Sequence, residues 1–212
     1  IQRLSGMPFD QYLSEHIFQP LDMEDTFFQV PEDKASRFLP NHYWDAKNKK
    51  LATLGTQQDS AMSNYSSVSL YSGGGGLVSS AMDYMRFAEA MRNGGILNGQ
   101  RILSEKTVNY MARNHLAANI SASGLGESPS DTAEARGFGF GLGFGVVTNA
   151  VNHGVMGSDG EFNWGGAAGT VFWIDPVEEI VVVGMIQLMG SPWALRSDLK
   201  VGTYQAITES YE

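Results

Sequence analysis

The residues best suited to binding chemistry form the step Trp164-Gly165-Gly166, which leads into an apolar run. Residues 170–174 of that run are β-branched and aromatic, which predicts a strand, and Asp175-Pro176 supplies the turn that follows it. A second apolar run at 180–187 predicts the partner strand. Two glycines without side chains let a ligand or another backbone approach closely. We expect such an approach here, and an ordinary bulge is the alternative interpretation.

The composition of the chain excludes several classes of protein. Its 212 residues carry a formal net charge of -9, whereas nucleic-acid binding requires a basic surface. No run approaches the ~18 consecutive apolar residues that a membrane span requires. With 42% apolar and 17% charged residues, the chain is predicted to be globular. We therefore expect no nucleic-acid partner and no membrane span.

Candidate sites for metals and cofactors are few. The chain has no cysteine, which excludes a thiol nucleophile and fits the cytoplasm and the periplasm equally. His115 and His153 are too few and too poorly spaced for a zinc cluster. His153 precedes the Trp164-Gly165-Gly166 step and either lines a binding cleft there or packs in the core. The four glycines at 73–76 lack the Lys and the spacing of a phosphate loop. We therefore expect no metal and no cofactor.

Helices are predicted from apolar periodicity and from capping residues. Residues 1–6 are typical of the last turn of a helix, with Gly6 past its end. Pro8 begins a second helix, and Ser80 with Asp83 forms a capping box before a third. The remaining predictions are a hairpin around Asn98-Gly99, a short helix capped by Ser104, and a last helix from Ser191-Pro192 to about Glu209.

Glycine at every second position of 137–147 predicts one strand with an apolar face and a bare face. The bare face must lie under a close neighbour such as a helix. Residues 21–71 lack a strong period, and the polar composition of 56–69 favours an irregular crossing. The small, polar and acidic residues of 117–136 favour a flexible loop.

Four motifs occur in an order that is familiar from one group of enzymes. They are Leu4 to Thr26, the glycine run and Ser-Ser-Ala-Met-Asp-Tyr segment at 73–87, Asn-Gly-Gly with Leu-Asn-Gly at 93–99, and Trp164 to Pro176. Together they resemble the serine β-lactamase-like family, which spans class C β-lactamases, penicillin-binding DD-peptidases and family VIII carboxylesterases. Asp22 stands where the family usually has Gly.

This resemblance covers nearly the whole chain and implies an α+β, β-lactamase/transpeptidase-like fold, with an antiparallel sheet flanked by helices. The complete fold pairs a five-stranded sheet with a helical region, and the active site lies between the two. Residues 1–212 are expected to be the C-terminal part of one such domain, with three strands, part of the helical region and the closing helix. Because the chain starts in an apolar half-helix without Met, we expect residues before Ile1 to be missing.

The family's chemistry uses a Ser-x-x-Lys motif for the nucleophile, a Tyr-x-Asn motif, and a Lys-Thr-Gly motif or its variant on a strand. Only the third is matched in order, by residues 164–166. Ser197 and Lys200 match Ser-x-x-Lys as a string, but they follow the third motif and are interpreted as a solvated helix face. The resemblance therefore implies that the nucleophile and the base lie before Ile1, and this chain alone is predicted to be inactive.

The resemblance also assigns roles to residues around the third motif. The backbone N–H of Ala167 would donate a hydrogen bond to the tetrahedral oxyanion, and the other donor would be the nucleophile's own N–H. Gly165 and Gly166 would leave the strand edge bare for the substrate. Trp164 stands where β-lactamases carry a Lys that can meet the carboxylate of a β-lactam, whereas an indole offers one N–H and a flat apolar wall. Core packing is the alternative for Trp164.

The predicted function is that of a serine hydrolase that acts on small-molecule esters or amides through an acyl-enzyme, with esters favoured over penicillins. A non-catalytic binding or assembly domain, and a peptidase for D-amino-acid or small-peptide substrates, are the alternatives. Apolar surface left by the missing part predicts self-association. Tyr65 and Tyr71 either line the acyl pocket or pack, and Asp159 and Glu161 are interpreted as turn residues.

Overall fold

The computed structural model describes residues 1–54, 65–116, 137–154 and 156–211. The loop predicted at 117–136 and most of the crossing predicted at 56–69 lie outside these ranges. In chain order the helices are α1 (Gln2–Ser5), α2 (Phe9–Leu13), α3 (Ala81–Arg92), α4 (Glu105–Met111), α5 (Ala150–His153) and α6 (Leu195–Gln205). The strands are β1 (His42–Asp45), β2 (Lys50–Thr53), β3 (Ile96–Leu97), β4 (Gln100–Arg101), β5 (Phe138–Phe140), β6 (Gly145–Val147), β7 (Phe162–Gly165), β8 (Val171–Asp175), β9 (Ile180–Gly184) and β10 (Leu188–Met189).

The N-terminal helices form where their boundary residues predict them. α1 ends at Gly6, whose φ of 71° is the left-handed conformation that glycine adopts without a Cβ penalty. α2 follows Pro8 and continues into a π-helical turn at Ser14–Phe18. Leu21 and Met23 lie beyond that turn and are buried against α3. None of the helices in the described ranges has the length and apolar character needed to span a bilayer.

The main sheet is antiparallel and has five strands in the order β5-β6-β7-β8-β9. The sequence predicted three strands for this region, and that prediction is wrong at two places. Residues 137–147 form two strands because the chain reverses between Gly141 and Phe144, where the Gly141 N–H donates to the Phe144 carbonyl (2.7 Å) and Gly143 has a φ of 94°. β7 is a strand of its own, in register with β8, so that Trp164 lies opposite Phe172.

The bare face of the glycine alternation lies against close neighbours, as predicted. A Cβ on Gly137 would lie 2.3 Å from the Asn149 carbonyl oxygen, at the start of α5. A Cβ on Gly139 would lie 2.4 Å from the Asn114 side chain, just after α4. No side chain fits at these distances. Glycine is therefore required at both positions, because the start of α5 and the segment after α4 pass close to β5.

Two helices cover opposite faces of the sheet. α3 is capped by the Ser80 hydroxyl, which accepts from the Asp83 N–H (3.2 Å), as the capping box predicts. Its apolar face packs against β6, β7 and β8 through one continuous buried cluster. α6 covers the other face. It begins at Leu195 rather than directly after Ser191-Pro192, because the Ser191 hydroxyl accepts from the Trp193 N–H (3.2 Å) in a local turn.

The two short elements after α3 also follow prediction. β3 and β4 pair through a two-residue turn in which Asn98 and Gly99 have φ values of 48° and 81°. Ser104 caps α4 by accepting from the Thr107 N–H (3.1 Å). By contrast, the hairpin of β1 and β2 lies in a stretch where no element was predicted. Its four-residue strands are half-buried or exposed without strict alternation, which hides the period-two signal.

Candidate active site

The predicted site motif lies at the turn between β7 and β8. The Gly166 N–H donates to the Thr170 carbonyl (2.9 Å), and the Gly169 N–H donates to the Gly166 carbonyl (3.0 Å). Gly169 has a φ of 89°, the conformation that closes a three-residue hairpin loop. Ala167 is the first residue of that loop; it is exposed, and its N–H makes no hydrogen bond to any residue within the described ranges. The Ala167 N–H is therefore a backbone donor that remains available to a ligand.

Trp164 points to the same face of the sheet as α3. It packs against the buried α3 cluster, and its ring meets that of Phe140 edge-on, with centroids 4.9 Å apart. Trp164 also lines a cavity between the sheet and the N-terminal helices. Substrate contact and core packing, the two interpretations of Trp164, are therefore compatible, since one part of the indole packs in the core and another borders the cavity.

Gly165 and Gly166 have different neighbours. A Cβ on Gly165 would lie 2.5 Å from the guanidinium carbon of Arg196 in α6. A Cβ on Gly166 would lie 2.4 Å from the Thr170 hydroxyl oxygen. The close approach that the sequence predicts is thus made, at Gly165, by an arginine of this chain on the face opposite Trp164. The backbones of both glycines still line the cavity.

The cavity has a volume of about 700 Å³ and lies between the N-terminal helices, α3 and the sheet. Its walls are mostly aliphatic and aromatic. These apolar walls include Leu13, Ile17, Phe18, Met23, Phe27, Val30, Phe38, Leu77, Tyr84, Phe87, Trp164, Phe172 and Val183. A site of this size and polarity is suited to an apolar group of a ligand or of another segment of polypeptide.

Three hydroxyl groups on the cavity wall are occupied by structural hydrogen bonds. Thr26 and Ser79 share a bond (2.8 Å), and the Thr26 hydroxyl also lies 2.9 Å from the Asp83 carboxylate. Ser80 caps α3. Burial raises the pKa of Tyr84 to about 12, so its phenol keeps its proton and is a poor general base. The described cavity wall therefore offers an oxyanion donor nearby but no activated nucleophile.

A charged group lies on one side of the cavity. The Asp25 carboxylate accepts from Arg37 (2.6 Å) and from Lys34 (2.7 Å). These hydrogen bonds, from Arg37 first and Lys34 second, lower the pKa of Asp25 from 3.8 to about 2. The carboxylate is therefore ionised at any physiological pH.

Several other candidate residues lie away from the turn between β7 and β8. Tyr65 lines the cavity and packs on Phe38, whereas Tyr71 packs on Phe28. His153 is not on the cavity wall; its ring stacks on Phe138, with centroids 5.1 Å apart. His115 bonds the Tyr110 carbonyl through its ring (2.8 Å). Asp159 accepts from the Ala150 N–H (2.7 Å), which fits its interpretation as a turn residue.

Glu161 and Lys200 were interpreted wrongly from the sequence. Glu161 is fully buried and forms an ion pair with Lys200 (2.6 Å), so it is not a turn residue and Lys200 is not on a solvated helix face. The Tyr204 hydroxyl joins Glu161 to the equally buried Asp175, at 3.0 and 2.7 Å. Ser197 is exposed, so Ser197 and Lys200 do not form a nucleophile pair.

Arg196, which bonds the turn that carries Ala167, was not predicted from the sequence. One signal was indirect: a glycine at 165 that requires a close neighbour. The polar positions of the alternating stretch Glu161 to Gly165 carried a second signal, because they share one strand face that must be covered.

Comparisons with known proteins agree with this geometry. The sequence profile of the Beta-lactamase family matches residues 1–204. Protein Rv1367c of Mycobacterium tuberculosis is 28% identical over 191 residues, which cover 88% of this chain and 45% of that protein. A putative D-alanyl-D-alanine carboxypeptidase of Salmonella newport is 28% identical over 193 residues, covering 86% of this chain and 41% of that one. The chain thus spans less than half the length of these curated relatives.

Solved structures share the fold at lower identity. Simvastatin synthase (LovD) from Aspergillus terreus superposes with a TM-score of 0.78 at 21% identity, over 98% of this chain and 53% of that one. EstCE1, a hydrolase with promiscuous acyltransferase activity, gives a TM-score of 0.74 at 22% identity, over 94% of this chain and 51% of that one. The α+β fold, the ordered motifs and the profile match over nearly the whole sequence lead to one conclusion: the chain belongs to the β-lactamase family, the serine β-lactamase/transpeptidase-like proteins.

Proposed function

We propose that residues 1–212 form the C-terminal part of a serine hydrolase that cleaves small esters through an acyl-enzyme, with its nucleophile supplied by a preceding segment. In this proposal Ala167 donates one hydrogen bond to the tetrahedral oxyanion, and Trp164, Gly165 and Gly166 contact the substrate. One such donor contributes roughly 3 kcal/mol to transition-state stabilisation.

The observation that carries the proposal is the free N–H of Ala167 in a hairpin turn beside an apolar cavity. A donor fixed in a turn needs no reorganisation when negative charge develops on the substrate. The family membership of the chain and the hydrolase among its structural neighbours support the same class of reaction. The chain's length relative to its curated relatives supports a preceding segment, because the family's nucleophile motif is not matched in order here.

A preference for esters over β-lactams is inferred from Trp164. Its surroundings are the rings of Phe140 and Phe172 and the apolar part of the cavity wall. The cations on the cavity wall, Lys34 and Arg37, are already paired with Asp25. Burying an unpaired carboxylate there would be costly. A neutral acyl or alcohol group has no such cost.

The experiment compares this 212-residue chain with the complete protein encoded by its gene. Each is treated with a fluorophosphonate probe, its intact mass is recorded, and hydrolysis of p-nitrophenyl butyrate and of a chromogenic cephalosporin is measured. We expect no adduct on the chain, one serine adduct on the complete protein, and faster ester than cephalosporin hydrolysis. An adduct on any serine of these 212 residues, or faster cephalosporin hydrolysis, would contradict the proposal.

The Trp164→Lys variant of the complete protein tests the preference itself. It introduces a cation at the site motif and is expected to shift the ratio of cephalosporin to ester hydrolysis upward by at least about 10-fold, the effect of about 1.4 kcal/mol. Trp164→Phe keeps the apolar wall and is the matched control, with an unchanged ratio expected. An equal ratio in all three proteins would show that Trp164 does not set the preference.

A non-catalytic binding domain is the second candidate, favoured by three hydroxyls of the cavity wall, those of Thr26, Ser79 and Ser80, which are occupied by structural bonds. It predicts that the complete protein reacts with no probe and hydrolyses neither substrate. A peptidase is the third candidate, favoured by the similarity to the Salmonella carboxypeptidase. It predicts release of D-alanine from a D-alanyl-D-alanine peptide at a higher kcat/KM than ester hydrolysis.

A further inference from the structure

Arg196, in the first turn of α6, bonds the backbone of the turn between β7 and β8. Its Nη2 donates to the Gly166 carbonyl oxygen (2.6 Å) and to the Thr170 carbonyl oxygen (3.2 Å). The carbonyl of Gly166 and the N–H of Ala167 belong to the same peptide group. The arginine therefore holds one end of the group whose other end is the available donor.

The peptide geometry gives this contact a consequence for Ala167. In a trans peptide the C=O and the N–H point in opposite directions, and the described chain has no cis bond. The Ala167 N–H, which shares this peptide group with the Gly166 carbonyl, therefore points away from the Arg196 guanidinium. A short bond from a cation also polarises the peptide group, which makes its N–H a stronger donor.

We infer that Arg196 is a positioning residue for the oxyanion donor: it fixes and polarises the Gly166–Ala167 peptide group from the face of the sheet opposite Trp164. This inference rests on the proposed function. It also gives Gly165 a reason to lack a side chain, since a Cβ there would displace the guanidinium, at 2.5 Å from its carbon.

The alternative is that Arg196 only attaches α6 to the sheet. α6 has other attachments, because Lys200 pairs with Glu161 (2.6 Å) and Tyr204 bonds Glu161 and Asp175. Removal of the guanidinium is therefore expected to leave the helix in place. This independence makes a test by substitution possible.

Three variants and one control separate positioning from attachment. Arg196→Met removes the donors and keeps an unbranched apolar side chain, whereas Arg196→Lys keeps a cation that can bond one carbonyl. Gly165→Ala displaces the guanidinium without removing it. The matched control is Arg101→Met, because Arg101 also donates to two turn carbonyls, those of Gly94 and Leu103 (2.9 Å each), and does not line the cavity.

The first readout is ester hydrolysis by the complete protein. Removing an oxyanion donor lowers kcat by about 100- to 1000-fold, so misplacing one is expected to lower it by about 10- to 100-fold. Arg196→Met and Gly165→Ala should show this loss with KM changed less than about 3-fold, because the contact acts on the transition state. Arg196→Lys should be intermediate, and the Arg101→Met control should retain its kcat. Equal kcat values in Arg196→Met and wild type would overturn the inference.

The second readout does not require activity. The amide signal of Ala167 is followed by two-dimensional NMR of the ¹⁵N-labelled 212-residue chain, for wild type and variants. Loss of the bond to the Gly166 carbonyl is expected to move the Ala167 amide proton upfield and to leave the signals of α6 in place. If the complete wild-type protein is inactive, the proposed function fails and this readout alone decides the positioning. An unmoved Ala167 signal in both Arg196→Met and Gly165→Ala would overturn it.

Discussion

The two faces of the five-stranded sheet are stabilised by different kinds of contact. On the α3 face, Phe162, Phe172 and Ile174 are buried in an apolar cluster. On the α6 face, Glu161, directly before β7, and Asp175, the last residue of β8, are buried with polar partners. Apolar burial is non-directional and tolerates small changes of position. Buried hydrogen bonds and charges require definite partners, so this face fixes α6 and the turn between β7 and β8 in one arrangement.

The largest expected effect is on the α6 face, from Lys200→Met. Glu161 is fully buried and Lys200 is its cationic partner, so the variant leaves a buried carboxylate without a counter-charge. We expect the free energy of unfolding in urea to fall by about 3–5 kcal/mol. The double variant Glu161→Gln/Lys200→Met removes both charges and should recover much of the loss. Equal losses in the single and double variants would contradict a dominant ion pair.

The next effect is expected on the α3 face, from Ile174→Ala. Ile174 is 0% exposed and lies in the centre of the apolar cluster. The variant removes buried carbon atoms and leaves a cavity, which costs about 3 kcal/mol of unfolding free energy. Ile174→Val should cost about 1 kcal/mol, because the response of an apolar face is graded with volume. A cost for Ile174→Val equal to that for Ile174→Ala would contradict this description of the face.

A smaller effect is expected at the start of α3, from Ser80→Ala. The Ser80 hydroxyl accepts from the Asp83 N–H, and its loss leaves one N–H of the first turn without a partner. Chemical denaturation should show a loss of about 1 kcal/mol. Ser104→Ala at the start of α4 removes an equivalent cap and is the comparison, with a similar loss expected. Ser80→Thr should restore most of the stability, and a failure to do so would argue against capping.

The smallest effect is expected from Asp25 and its cationic partners beside the cavity, because these charges are partly exposed to solvent. Because the folded-state pKa of Asp25 is lowered to about 2 from 3.8, its stabilising contribution is complete above about pH 3.8 and is lost as the pH falls towards 2. Asp25→Asn should lose less stability over this window than wild type, as measured by the thermal midpoint. At neutral pH the difference should stay below about 1 kcal/mol, since the pair is partly solvated. A larger loss in the variant than in wild type at low pH would reverse the assigned sign.

Much of the local structure is predictable from short-range chemistry. The end of α1 at Gly6, the caps at Ser80 and Ser104 and the turn at Asn98-Gly99 all depend on residues within four positions of each other. The alternation at 137–147 correctly predicted a bare strand face. It did not reveal the reversal between Gly141 and Phe144, because period-two alternation can continue through a turn and into the next strand.

The sequence by itself determined the family and the α+β class, since these follow from local patterns and ordered motifs, and it predicts the site motif at 164–166. Only the tertiary structure decided that Glu161 pairs with Lys200, 39 positions away, and that Arg196 bonds Gly166 across 30 positions. Such contacts depend on how α6 lies against β7 and β8. The residues that a helix contacts on a strand depend on where the helix lies in space. The spacing of residues along the chain does not specify where that is.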